Sequence, residues 1–180
     1  MKKLLTTLFV LIGLTTYGQT TINPDTVCVN SVGEQYFVTN TATSTYQLNV
    51  TGGGGAIQTG QGTNSITVDW GGVSGLYPNA IEVIESNASG CPGTPVLLDV
   101  YVLDLSGSAI GPFCPGDPSS TLSGTPTGGT WSGTGVVGND FDPSIAGVGN
   151  YVLTYTLAGC QTTINVTVNN GPVTGPIQHY

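Results

Sequence analysis

The chain has 180 residues and a net charge of −8, from ten Asp or Glu side chains against two Lys or Arg side chains. Both cations are at the N-terminus, as Lys2 and Lys3, so the rest of the chain has no Lys or Arg to neutralise a polyanion. Because proteins bind nucleic acids through phosphate neutralisation, this composition excludes nucleic acid as a partner, and it excludes adsorption to an acidic membrane surface as well.

Residues 1–18 have the pattern of an export signal. The two lysines precede the apolar run LLTTLFVLIGL, and small residues at Thr16 and Gly18 provide a cleavage site before Gln19. The apolar run is shorter than a membrane span. We therefore predict a mature chain that begins at Gln19, without membrane insertion, and that is secreted or displayed at the cell surface, with the periplasm as the alternative.

Residues 19–105 are predicted to form a first β-sandwich module. In STYQLNVTG and SITVDW, apolar and polar residues alternate with period two, which is typical of half-buried strands. Glycine-rich turn signals such as GGGG and TGQGTN separate the runs. Trp70 continues the apolar face of SITVDW, so we interpret it as a large core residue between two sheets.

Residues 106–112 are predicted to be a linker, and residues 113–170 are predicted to form a second β-sandwich. GNYVLTYTL and QTTINVTV again alternate with period two. Trp131, within GGTWSGTG, is interpreted as the core residue of this module. The alternative for both tryptophans is an exposed platform on which a sugar stacks. The fold class expected for the whole is therefore all-β, with two tandem sandwich modules.

The four cysteines occur in an even number in a chain that is predicted to be exported, which favours disulfides over metal or redox chemistry. Each module has one cysteine before its first strands and one before its last strands. We therefore predict one disulfide in each module, Cys28 with Cys91 and Cys114 with Cys160.

The stretches GQGTNSITVDWGG and NAIEVIESNASGC resemble the PKD-like repeats of Bacteroidetes surface proteins. GGTWSGTGVVGNDFDPSIAGVGNYVLTYTLAGC is similar to an Ig-like repeat of the same proteins, and PVTGPIQHY is similar to the segment that follows such repeats. This resemblance implies PKD-like and Ig-like sandwiches associated with type IX secretion or gliding motility. It also implies cell-surface adhesion or binding, without catalysis.

Few residues suit catalysis. The one histidine, His179, is next to the C-terminus, where chain ends are usually mobile. Carboxylate pairs could hydrolyse a glycoside, and the candidates are Glu82 with Glu85 and Asp99 with Asp104. Since these residues are better explained as solvated strand ends, we predict that the protein is not an enzyme and has no cofactor.

Asp140 and Asp142 flank Phe141, and in an extended segment both carboxylates would share a face. Calcium is held by such oxygen ligands, so this pair is a candidate Ca²⁺ site. In the alternative, Phe141 is buried and both carboxylates are in water.

The tail of residues 171–180 has two prolines, which disfavour a helix and regular strand pairing. Val173, Ile177, His179 and Tyr180 are candidates for docking onto a protein partner, because an extended segment can add to a sheet edge. The sequence thus predicts a non-catalytic surface or secreted module, an accessory of an adhesion or gliding-type assembly. The alternative is a carbohydrate-binding protein that uses exposed aromatic residues.

Overall fold

Short strands joined by turns make up nearly all of the regular structure in the computed structural model. The structure describes residues 24–172 and 175–179. The predicted export signal of residues 1–18 and the tail residues Val173 and Tyr180 lie outside the described residues. Within them, the protein is all-β apart from one helical turn, as the alternating sequence patterns predict.

The chain divides into two compact units, Met1–Asp104 and Leu105–Tyr180. The first unit contains seven strands: β1 (Asp25–Cys28), β2 (Glu34–Phe37), β3 (Thr45–Val50), β4 (Ala56–Thr59), β5 (Ser65–Asp69), β6 (Gly75–Ser86) and β7 (Val96–Leu103).

Two sheets form the first unit, with strand orders β1-β7-β6-β3 and β2-β5-β4. The pairing of β1 with β7 is parallel, and the other pairings are antiparallel. The inward residues of both sheets form one core, because alternate positions on each strand face the opposite sheet. Its members include Val27, Tyr46, Leu48, Ile66, Val68, Trp70, Val100 and Val102.

The second unit has shorter strands and one helical turn. Its elements are β8 (Ser106–Gly107), β9 (Ser120–Thr121), β10 (Gly124–Thr125), β11 (Thr130–Ser132), β12 (Val136–Val137), β13 (Asp140–Phe141), α1 (Pro143–Ala146), β14 (Gly149–Leu157) and β15 (Cys160–Val168). The sheets have the orders β11-β14-β15, β12-β13-β9 and β10-β8.

The segment predicted as a linker, residues 106–112, contributes structure to the second unit. Ser106–Gly107 forms β8, which pairs with β10 in antiparallel register. Sequence alone could not show this because a two-residue strand has no periodicity to detect.

The core of the second unit is organised around aromatic residues. Trp131 packs against Tyr155, with ring centroids 5.1 Å apart, and Phe141 is fully buried. Gly124 and Gly129 approach the Tyr155 ring so closely that an added Cβ at either position would clash with the ring. These glycines are therefore required for loop packing over the ring, which explains the small residues around Trp131.

The predicted disulfide pairing is wrong. Cys28 and Cys160 are the disulfide-bonded cysteines, whereas Cys91 and Cys114 are exposed free thiols. In the first unit, Cys28 lies opposite Leu103 at the end of β7, and Cys91 lies before the beginning of that strand at Val96. An extended strand of this length separates its ends by roughly 23 Å. A disulfide requires Cα atoms within about 7 Å of each other, so Cys28 cannot bond Cys91.

The same geometry separates the cysteines of the second unit. Phe113 forms a bridge with Val168, the last residue of β15, and Cys114 follows it. Cys160 is the first residue of β15, roughly 26 Å away along the strand. The sequence pattern shows that the cysteines lie near strands. It does not show how those strands pair, and the pairing decides which cysteines are close together.

Candidate functional site

Two of the carboxylates proposed for glycoside hydrolysis, Glu82 and Asp99, accept hydrogen bonds from the protein. Glu82 accepts a hydrogen bond from Asn49 Nδ2 at 3.0 Å on the neighbouring strand, and Asp99 accepts one from the Asn79 backbone N–H at 2.8 Å. Glu82 and Glu85 are three residues apart on β6, so their side chains point to opposite faces of the sheet. The hydrogen-bonded carboxylates therefore support strands and loops.

Asp140 and Asp142 each have a partner in the protein. Asp140 accepts a hydrogen bond from Thr121 Oγ1 at 2.8 Å, across the pairing of β13 with β9. Asp142 is the N-cap of α1 and accepts bonds from the backbone N–H groups of Ser144 and Ile145. Phe141 between them is fully buried. In the described part of the chain, no group of three or more His, Cys, Asp or Glu could hold a metal. Calcium at this pair stays a prediction.

The cap at Asp142 changes the acidity of its carboxyl group. Hydrogen bonds from the Ser144 hydroxyl, at 2.6 Å, and from the Ser144 and Ile145 backbone lower the pKa of Asp142 from its ordinary value of 3.8. These donors stabilise the charged form, so the carboxylate is ionised over a wider pH range than usual. In this structure, the Asp142 carboxylate caps the N-terminus of α1.

The buried Tyr36 side chain of the first unit contacts both Asp25 and Trp70. The Tyr36 hydroxyl donates to Asp25 Oδ2 at 3.0 Å, and its ring meets Trp70 edge to face at 6.2 Å. Burial raises the pKa of Tyr36 far above its usual value, and the negative charge of Asp25 adds to this shift. The Trp70 indole N–H is buried and has no hydrogen-bond partner among the described groups. Tyr36 is therefore a permanent donor, unsuited to act as a base.

The aromatic side chains of the described residues are mostly buried or half-buried. Trp70 is 3% exposed and Trp131 is 7% exposed, which confirms their interpretation as core residues. Among the aromatic side chains that the structure describes, only Phe37 is exposed, at 51%. A row of coplanar exposed rings is thus missing from the described surface.

A cavity of about 200 Å³ lies beside the Trp131–Tyr155 ring pair in the second unit. Ser123, Thr127 and Asn139 line it with the two rings. The Tyr155 hydroxyl is already engaged, since it donates to the Pro126 carbonyl at 2.6 Å and accepts from the Gly129 N–H at 2.8 Å. The polar side chains that line the cavity are therefore neutral, and they alternate with the two rings, Leu122 and glycines.

The described part of the tail has no regular structure. Residues 175–179 are in neither a helix nor a strand, Ile177 is 100% exposed, and His179 is also exposed. Val173 and Tyr180, the other two docking candidates, lie outside the described residues. The tail thus presents an apolar side chain to solvent, as a docking segment would, and partner docking stays a prediction.

One feature missed by sequence reasoning is the outer surface of the sheet β11-β14-β15. The positions that alternate with the buried ones carry hydroxyl or amide side chains, apart from one valine. We call this surface the hydroxyl face; it consists of Thr130, Ser132, Asn150, Val152, Thr154, Thr156, Gln161, Thr163, Asn165 and Thr167. The alternating threonines of YVLTYTL and QTTINVTV are its sequence signal.

No helix in the described residues is both long and apolar enough to cross a membrane.

Comparison with known proteins gives a match for the first unit. Residues 15–98 match the model of the PKD-like domain family. No curated protein matches the chain. A solved structure of fibronectin(III)-like modules of Clostridium thermocellum CbhA is 10% identical, covering 87% of this chain and 95% of that chain, with a TM-score of 0.35. The strands define an all-β protein, and residues 15–98 of its sequence are similar to the PKD-like domain family.

Proposed function

We propose that the protein is a non-catalytic structural or binding module outside the cytoplasm, an accessory of a cell-surface adhesion or gliding-type assembly. The observation that carries this proposal is the use of its chemically capable side chains in structural contacts. Asp25 and Asp142 accept hydrogen bonds that hold the fold, and Tyr36 is locked as a donor. His179 is exposed and lies in neither a helix nor a strand. This arrangement suits binding better than catalysis.

The proposed location outside the cytoplasm is supported by chemistry as well as by the export-signal pattern. Cys28 and Cys160 are disulfide-bonded, and disulfides persist in oxidising compartments. The PKD-like match of residues 15–98 is consistent with a surface or secreted module. Because all Lys and Arg residues precede the predicted cleavage site, the surface is anionic, which favours solubility outside the cell.

The proposed partner is a protein at the cell surface or outer membrane, contacted through the tail. Fully exposed Ile177 provides an apolar anchor, and an extended segment can pair with the edge of a partner's sheet.

Deletion of residues 171–180 tests this function. We expect the melting temperature of the purified protein to change by less than about 4 °C, because the described tail residues form no helix or strand, and loss of exposed groups usually changes stability by less than about 0.5 kcal/mol. We expect retention at the surface of the source cells, measured by protease accessibility and by release into the medium, to fall severalfold.

A charge-matched pair of variants refines the experiment. Ile177→Asp should weaken surface retention as the deletion does, whereas Gln178→Asp, which adds the same charge at the next exposed position, should not. Retention of the deleted protein at the level of the full-length chain would refute docking through the tail. Confinement of the full-length protein to the cytoplasm would refute the proposed function as a whole.

A further inference from the structure

The hydroxyl face is a regular two-dimensional array. The strand register aligns its side chains in rows across the three strands, Thr130 with Thr156 and Gln161 in one row, and Ser132 with Thr154 and Thr163 in the next. Neighbouring strands lie ~4.8 Å apart, and successive outward positions on one strand are ~6.6 Å apart. Since β-branched threonines have few χ1 rotamers, the hydroxyl groups are held in restricted directions.

Most of these side chains have no protein partner. In the described structure, Thr167 Oγ1 donates to Asn150 Oδ1 at 2.8 Å, and this is the only side-chain hydrogen bond within the face. The other seven polar members are exposed or half-buried and make no side-chain hydrogen bond to described residues; they are Thr130, Ser132, Thr154, Thr156, Gln161, Thr163 and Asn165. Their donors and acceptors are available to a ligand.

Charge restricts the class of ligand. The face has no ionisable side chain, whereas the outward positions of β6 and β7 in the first unit include Glu82 and Asp99. A neutral face offers an ionic ligand no compensating charge. An acidic ligand would also be repelled by the net negative charge of the chain.

Size and composition disfavour a protein partner. Strand spacing and length give the face an area of about 400 Å². A stable protein complex buries about 800 Å² on each partner, with aromatic and apolar anchors at its centre. The hydroxyl face has one aliphatic side chain, Val152, and no aromatic one. A second copy of the chain is thus a poor occupant.

We infer that the hydroxyl face binds an extended neutral polysaccharide. Sugar hydroxyls donate and accept hydrogen bonds, as threonine, serine and amide side chains do, and a flat ribbon-like chain can lie across several rows at once. This inference rests on the proposed function only in that both assign the module to binding. The site differs from an aromatic platform, since its contacts are hydrogen bonds from rigid strands.

Affinity electrophoresis of the full exported chain tests the inference. The neutral probe is hydroxyethylcellulose, the anionic probe is polygalacturonate, and microcrystalline cellulose provides a pull-down with an insoluble neutral polymer. We expect the wild-type protein to be retarded by hydroxyethylcellulose and retained by cellulose, and to be unaffected by polygalacturonate.

The decisive variant is the double substitution Thr154→Val and Thr163→Val in the central row. Valine keeps the shape and the strand preference of threonine but removes the hydroxyl, so the fold should be preserved. Loss of two hydrogen bonds should lower the association constant at least fivefold. Thr45→Val, at an exposed outward position of β3 in the first unit, is the matched control and should bind as the wild type does.

The outcomes distinguish the possible occupants. The inference fails if the wild-type protein binds neither neutral polymer, or if the double variant binds as well as the wild type with an unchanged circular dichroism spectrum. Self-association of the wild type that the double variant abolishes would assign the face to a second copy and overturn the inference. None of these results affects surface retention through the tail, so they leave the proposed function standing.

Discussion

Trp131 shows how a single residue organises the second unit. Its ring packs on Tyr155, and Gly107 on β8 leaves room for it, since an added Cβ there would lie 2.7 Å from the indole ring. The glycines near Trp131 are therefore part of the packing around its ring. The burial of Trp131 could be predicted because a small domain needs at least one large core residue.

We expect Trp131→Ala to destabilise the second unit by about 3–5 kcal/mol, as removal of a buried aromatic ring usually does. Chemical denaturation followed by far-UV circular dichroism measures the change, while Trp70 fluorescence reports on the first unit, which should be unaffected. Thr130→Ala, at the exposed position next to it, is the control and should have a small effect. A loss below about 1 kcal/mol for Trp131→Ala would mean that the ring contributes little to the core.

Other residue-level features were not predictable. Tyr36 lies in β2, and its neighbours in sequence do not indicate that its hydroxyl donates a hydrogen bond to Asp25 on β1. The two strands belong to different sheets, so this contact depends on sheet packing. Local pattern shows that a residue points inward, but it does not show which residue lies opposite.

At the scale of elements, strand periodicity predicted the long strands well. The apolar positions of SITVDW in β5 and of QTTINVTV in β15 point inward and are buried, as the alternation predicts. The strands of two or three residues in the second unit were not predictable, because they are defined by hydrogen bonds between distant segments. The hydroxyl face was not predicted for the same reason. It can be recognised only when the register of β11, β14 and β15 is known.

The helical turn α1 also has a clear sequence origin. Asp142 followed by Pro143 is a strong helix start, because Asp caps the first N–H groups and proline fits the first turn. The residue that sequence analysis considered for calcium is therefore the cap.

The lowered pKa of Asp142 gives a pH-dependent test of this cap. A carboxyl group with a lower pKa in the folded state stabilises the fold above its ordinary pKa and loses this effect as the pH falls through the folded value. We expect the wild type to be more stable than Asp142→Asn at pH 7, and the difference to shrink as the pH falls below 3.8, the ordinary pKa of this carboxyl group. Urea denaturation of both proteins at each pH measures it. An unchanged difference at both pH values would contradict a role for the charge.

At the scale of the whole molecule, the chain divides into two compact units, Met1–Asp104 and Leu105–Tyr180, and the sequence predicts two modules at residues 19–105 and 113–170. The cysteine connectivity was not predicted. Parallel pairing of β1 with β7 brings Cys28 beside the C-terminal end of β7, far from Cys91, and this order cannot be read from the spacing of cysteines in the sequence. Which cysteines are free and which are disulfide-bonded therefore depends on the strand order.

The state of the four cysteines in the exported protein is therefore the most direct test of this strand organisation. The protein is alkylated under denaturing conditions without reductant, then reduced, labelled with a second reagent, and digested with a protease specific for acidic or aromatic residues, since the mature chain has no Lys or Arg for trypsin. We expect the first reagent at Cys91 and Cys114, and the second at Cys28 and Cys160. A disulfide-linked peptide of Cys28 with Cys91 would contradict the strand order described for the first unit, and one of Cys114 with Cys160 would contradict the pairing described at β15 in the second unit.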